Sequence, residues 1–472
     1  MTDPENPSEA DGEFSAVPED LVYELETGIE EDIVDALDDD DLERVGDLVQ
    51  ELHYADMADL LERLDAEDTA IIVEIIRPNF NAEILSELDD TVRETIIELL
   101  GIEEVAAAVV DLDTDDAVSV IEELDEVDQQ KLLDAIPDDD RTLIEESLAY
   151  PEDSAGRLMQ RELVTVPENW TVGETIDFMR KSADSDDNDL PDSFYDIFVV
   201  DGDHAPVGSV ALDKLLRTRR PVAMTELMAE EIKPVAATMD QEDVAFMFRQ
   251  RDLVSAPVID GGGRLVGAIT IDDVVDVIHE EHEEDIMYLG GVGEDDLYDA
   301  AIDTTKARFS WLAVNLLTAI MASAVIGLFD ATIDELVALA ILMPIVASMG
   351  GNAGTQTMTV TVRALAMREL TSTNAARLIG KELFVGTING VLFALIAGAV
   401  AWWWFGSQTL GLVIGLAMIV NMIVAGVAGS SIPILLDHLG VDPAVASSVL
   451  LTTLTDVVGF FAFLGLAALI ML

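Results

Sequence analysis

The chain has 472 residues, with 94 Asp+Glu against 24 Lys+Arg and a formal net charge of −70. Half of the residues are apolar, which excludes disorder throughout, and the shortage of clustered bases argues against nucleic acid as a partner. Mean hydropathy is nevertheless positive, +0.32, and the conflict resolves when the chain is divided: residues 308–472 hold 8 acids and 5 bases, whereas residues 1–307 hold 86 and 19. A very acidic soluble part precedes a nearly neutral hydrophobic part.

The chain opens on MTDPENPSEADGEF, which has neither the basic nor the apolar region of a signal peptide and reads as a disordered acidic tail, 1–19. Cysteine is absent, so disulfides and thiolate metal sites are excluded. The acidic excess spans every soluble segment, as expected of a halophile whose surface must stay hydrated in concentrated salt. Most acids are therefore expected to be solvated surface rather than metal ligands.

From 20 to 147 the pattern is helical and repetitive. Leu-Asp pairs recur at 64–65, 88–89 and 112–113, with another at 124–125. Each follows one apolar helical stretch and precedes the next, so the Asp is placed to cap the following helix. This predicts an all-α superhelical domain of short helix pairs. The segment YPEDSAGRLMQR, 150–161, marks a change of pattern. Two tandem α/β units follow, 148–221 and 222–279, each reading strand, helix, strand, Gly-containing turn, strand, helix, and they are expected to pack against each other. A connecting helix is predicted over 280–307. His279 precedes it and His282 lies within it, three apart on one helical face, where a His metal pair is possible, and they are read as solvent-facing helix residues.

The hydrophobic part, 308–472, predicts five membrane spans. Phe309–Phe329 and Leu336–Val362 are uncharged and long enough for a hydrocarbon core of ~30 Å. The run Leu383–Leu436 breaks at Gly406-Ser407-Gln408 into two spans, and Ala444–Leu472 is the fifth. Lys306, Arg308, Arg363, Arg368, Arg377 and Lys381 fall on one side, so the N-terminal domains are expected in the cytoplasm and the C-terminus outside, in a plasma-membrane protein. The second span contains SMGGNAGTQT, 348–357, and the fourth GVAGSSIP, 426–433; both suggest unwound or closely packed backbone. The fifth carries Asp456 near its middle, after Thr452, with no Lys or Arg at matching depth. An intramembrane carboxylate costs roughly 2.5–3.5 kcal/mol on insertion scales and marks a functional site. A cation is its natural partner. Asp456, Thr452, Asn352 and Gln356 offer hard oxygen ligands, and a single carboxylate suits Mg²⁺, which keeps most of its water. A homodimer with Asp456 on its axis would supply two charges.

The two α/β units resemble cystathionine-β-synthase (CBS) domains forming a Bateman module. The whole chain resembles the MgtE family of magnesium transporters and channels. The resemblance is carried by LAYPEDSAGRLM, FVVDG, APVIDGGGRLVGAITIDDVVDVI, SMGGNAGTQ and TLTDVVGF, in that order. It implies a homodimeric membrane pore gated by cytoplasmic Mg²⁺. Asp456 takes the position of the pore Asp, and Asn352 and Gln356 fall in the Gly-rich second-span motif. Ser448 stands where an amide is expected, so no outer ligand is expected there. The resemblance assigns regulatory Mg²⁺ to Asp115, Asp240, Glu242, Asp252, Asp273, Asp276, Glu281, Glu284, Asp285 and Asp442. Ser119 replaces a second N-domain Asp, implying a weaker or displaced site. Thr270 and Asp273 fit a weak ATP site in the second CBS domain, whereas Ala211 and Lys214 remove its equivalent in the first. No Walker motif or catalytic triad supports an enzyme. Three rivals differ from this reading: transport of Co²⁺ or Mn²⁺ by the same fold, a CBS sensor with a membrane anchor, and a CBS-regulated anion channel. The last is disfavoured because no Lys or Arg lies within an uncharged span.

Overall fold

The computed structural model describes residues 27–122, 124–183, 190–191, 193–229, 232–292, 301–371 and 373–471. The expected tail, 1–19, the start of the helical domain and part of the connecting segment, 293–300, lie outside the described residues. The chain divides into two compact units: residues 1–244 with 251–273, and residues 245–250 with 274–472.

In the first unit, ten α-helices run from Thr27 to Leu148 among the described residues. The Leu-Asp pairs are their joints. Leu64 and Leu88 end one helix in extended backbone, and the following Asp caps the next. Asp65 accepts from the amides of Glu67 and Asp68 at 3.0 and 3.1 Å. Asp89 accepts from Thr91 at 3.0 Å, and Asp125 from Val127 and Asp128 at 2.9 and 2.8 Å. Each such cap contributes about 1 kcal/mol. The apolar faces merge into one core around Leu60, Ile72, Leu85, Ile96, Ile121 and Leu132. Arg93 is buried in it, donating to the Leu85 and Leu88 carbonyls at 2.8 and 2.6 Å and pairing with Asp90. It thereby satisfies carbonyls that a helix end leaves free.

Each α/β unit builds one three-stranded sheet. In the first, β1 (Thr165–Pro167) runs parallel to β2 (Asp196–Val200), which is antiparallel to β3 (Pro206–Ala211). In the second, β4 (Val235–Ala236), β5 (Ser255–Ile259) and β6 (Leu265–Thr270) repeat that order. The repeat extends to detail. The register slips at Val199/Val200 and again at Val258/Ile259, and Gly208 and Gly267 each face a methionine, Met228 and Met159, with no room for a Cβ. Phe198, Val200, Leu265 and Ala268 join the two repeats in one cluster.

In the second unit, the helix Ile271–Gly290 brings Tyr288 and Leu289 against Met358, Val362, Ala444 and Leu451. The helix predicted over 280–307 is not continuous: it stops at Gly290, and Gly291 adopts φ +72°, a left-handed conformation that favours glycine. Among the described residues, five helices are long and apolar enough to cross a membrane: Thr304–Gly327 within Ala301–Gly327, then Ala338–Ala366, Ala375–Phe405, Gln408–His438 and Pro443–Met471. The acidic connection after the first is a short helix, Asp330–Glu335. The third begins eight residues before the expected Leu383, because Arg377, Lys381 and Glu382 are helical too. Neither glycine-rich segment is unwound: both lie inside continuous helices. Close packing is what they provide. A Cβ at Gly386 would lie 2.6 Å from the Met422 carbonyl, one at Gly426 2.7 Å from the Glu382 carbonyl, and one at Gly429 2.6 Å from the Gly354 carbonyl, the close approach that small residues permit in membranes.

Candidate ion pathway and regulatory carboxylates

Asp456 lies near the middle of the fifth span and is half-buried. Its neighbour Thr455 is fully buried, its hydroxyl turned back to the Leu451 and Thr452 carbonyls at 3.1 Å each. Thr453 likewise donates to Val449. These hydroxyls are spent on backbone, whereas Thr452 is exposed. Asn352 and Gln356, one turn apart on the second span, are exposed as well, and Asn352 donates to the Ser348 hydroxyl at 3.5 Å. Gln356 lines a cavity together with side chains of the third and fourth spans.

Asn421, on the fourth span, is completely buried. Its amide nitrogen donates to the Val346 carbonyl at 2.8 Å, and its side chain lies against Gly350 of the second span and Gly459 of the fifth. One side chain of the fourth span thus fixes the packing of the helices that carry Asn352 and Asp456. Two further residues escaped the sequence reading. Glu382 is buried within the third span, and a reading that ends spans at charged residues leaves it outside. Asp116 is adjacent to Asp115, and nothing in its local sequence sets it apart.

In the first unit, Asp115 and Asp116 open the helix Thr114–Glu122 and face Asp273. Burial, then the Asp273 carboxylate, pushes Asp115 well above the usual carboxylate range and Asp116 up to about 7. Glu83 and Glu87 add to the effect on Asp116. Uncompensated negative charge of this kind is relieved by a cation. Thr114 ties the helix to the start of the first CBS domain, its hydroxyl donating to Glu162 at 2.6 Å. The Thr270 hydroxyl donates to Asp273 at 2.8 Å, so the residues of the expected nucleotide site bond each other. Asp273 serves both expected sites.

Asp240 caps the helix Gln241–Arg251 by accepting from the Glu242 amide at 3.0 Å, and its charge, after burial, raises Asp153. Asp252 sits nearby in sequence with φ +52°. In the second unit, Asp276 is exposed and Glu281 and Glu284 are half-buried along one helix. Asp285 meets Asp442: burial, then Asp442, then Glu284 push Asp285 up to about 6. Asp442 also accepts from the Ala444 amide at 2.7 Å, capping the fifth span. Among the described residues no group of three or more His, Cys, Asp or Glu is arranged to enclose a metal ion. His279 is exposed, 3.9 Å from Glu283.

Fold and sites together define a polytopic membrane protein whose cytoplasmic-type part carries a helical-repeat domain and a CBS pair. A family model described as a divalent cation transporter, MgtE, matches residues 343–466. The MgtE intracellular N domain matches 52–153, and CBS domain models match 155–220 and 224–280. The chain is 35% identical over 363 residues to the magnesium transporter MgtE of Thermus thermophilus, covering 76% of this chain and 79% of that protein. It is 33% identical to the magnesium transporter MgtE of Enterococcus faecalis, covering 70% and 71%. A crystal structure of the cytosolic domain of the Mg²⁺ channel MgtE in complex with ATP aligns at 29% identity with a TM-score of 0.47, over 52% of this chain and 99% of that one. The chain belongs to the MgtE family.

Proposed function

We propose that the protein is a homodimeric, Mg²⁺-selective pore of the plasma membrane, with its N-terminal domains cytoplasmic, its C-terminus outside, and gating by cytoplasmic Mg²⁺. The observation that carries the reading is Asp456, a half-buried carboxylate at mid-span on a helix without a basic residue. A hydrated divalent cation is the counter-ion that such a group needs, and Mg²⁺ sheds its water reluctantly enough to pass with most of it retained. Asn352, Gln356 and Thr452 supply neutral oxygens along the path.

Gating follows from carboxylates that already repel. Asp115, Asp116 and Asp273 form one cluster, and Asp285 with Glu284 and Asp442 another. Mg²⁺ bound between such groups favours the arrangement that holds them together, which is the closed state in this reading. At ~1 M salt the Debye length is ~3 Å, so in a halophile the gate rests on direct coordination and not on the overall charge. ATP at Thr270 and Asp273 would compete with Mg²⁺ for Asp273.

Proteoliposomes decide the central point. Wild type should take up Mg²⁺, and Asp456→Asn should abolish uptake while Glu→Gln changes on the acidic surface leave it intact. No uptake by wild type would leave the membrane part an anchor, and equal uptake by Asp456→Asn would take Asp456 out of the path. Competition by Co²⁺ and Mn²⁺ in the same assay fixes the selectivity.

A further inference from the structure

Glu382 is a second carboxylate inside the membrane unit, eight residues into the third span and 8% exposed. At 1.5 Å per residue it sits roughly 10 Å along the helix. One carboxylate oxygen accepts from the Thr357 hydroxyl at 3.2 Å. The other lies 3.3 Å from the Lys381 ammonium, which is itself largely exposed. A carboxylate has about four lone-pair positions, so two remain uncommitted. Glu382 borders a cavity of about 130 Å³ whose polar wall also includes Gln356, Thr357, Lys381 and Asn389, with Val385 among its apolar residues.

We propose that this cavity binds a hydrated divalent cation, with Glu382 as the anionic ligand and Lys381 as a tethered competitor. The proposal takes the ion from the transport reading above but places it at a site distinct from Asp456. The cavity has room for several waters. One Glu382 oxygen and the Gln356 amide oxygen complete a six-fold shell, the coordination Mg²⁺ demands, with most of its water retained. Lys381 answers the objection that Glu382 is already paired. Its contact is a single one at the cavity rim, and an ion entering the cavity exchanges for the ammonium, which is free to swing toward solvent. Gln356 belongs to the exposed stripe that begins at Asn352, so the cavity is a side chamber of the path assigned to the ion.

The absence of cysteine makes the test local. Val385→Cys places the chain's sole thiol at the cavity, and its rate of modification by a small methanethiosulfonate is measured on the full-length protein with and without Mg²⁺. Modification should slow about tenfold at ten times the half-protecting Mg²⁺ concentration. Protection should persist in Asp456→Asn and in Glu382→Asp, vanish in Glu382→Gln, and need about two- to fivefold less Mg²⁺ in Lys381→Gln, because the competing ion pair is gone. Absence of protection, protection unchanged by Glu382→Gln, or protection lost in Asp456→Asn would each overturn the proposal. Failure of the pore reading shows separately, as no Mg²⁺ uptake by wild type, and failure of the part given to Asp456 as uptake that survives Asp456→Asn.

Discussion

Asn421 has one half of its amide satisfied and the other not. The nitrogen donates to Val346, while the buried oxygen has no partner. Such a group is tolerated where shape makes it necessary, and here it fills the space left by two missing side chains, Gly350 and Gly459. A Cβ at Gly350 would lie 2.1 Å from the amide nitrogen. Gly350→Ala should therefore lower the melting temperature of the detergent-solubilised protein sharply, and adding Asn421→Ala should restore part of it, a coupling that a double-mutant cycle measures. Asp116 poses a charge question of the same local kind. Its folded-state pKa is raised to about 7, so the folded chain keeps a proton that the unfolded chain sheds. Without Mg²⁺, stability of its helix should fall as pH rises from the ordinary carboxylate range through about 7. Amide exchange in Thr114–Glu122 should accelerate between pH 5 and pH 8 after correction for the intrinsic rate. Asp116→Asn should flatten that trend, and Mg²⁺, which binds the deprotonated form, should reverse it at pH 8.

At the scale of elements, the helical repeat shows why some structure is legible in a sequence. A Leu that ends one helix and an Asp that caps the next are local devices, and local devices are written in adjacent residues. Asp65→Ala removes two capping contacts, a cost of about 1 kcal/mol, and should raise amide exchange across Ala66–Ile76 about fivefold, as hydrogen-exchange mass spectrometry would read it. The five spans, the strand–helix–strand repeats and Asp456 were legible for the same reason, as apolar length, alternation and a solitary charge. Other features depend on partners distant in the chain. The third span extends back over Lys381 and Glu382 because Thr357 of another helix meets the carboxylate. The segment 348–357 stays helical because Asn421 and Leu451 supply the packing its glycines invite. The interruption at Gly290-Gly291 carried a signal, two adjacent glycines, that the surrounding helical pattern concealed.

Across the whole molecule, few of the acids carry specific work in this reading. Neutralising Glu284 and Asp285 together should weaken Mg²⁺-dependent closure more than neutralising four acids of the N-terminal tail, although the latter removes more charge; a Mg²⁺ titration of channel currents in molar salt makes the comparison. Equal shifts would return the gate to bulk electrostatics. A different asymmetry runs through the membrane unit. In the most apolar stretch of the fourth span 61% of the residues are buried within this chain, against only 6% in the first. A helix that its own chain scarcely touches is constrained by hydrophobicity and length, not by shape. Random apolar replacement along the first span should thus be widely accepted, and the same library in the fourth span should be almost wholly rejected. The two helices, equally hydrophobic to the eye, would drift at very different evolutionary rates.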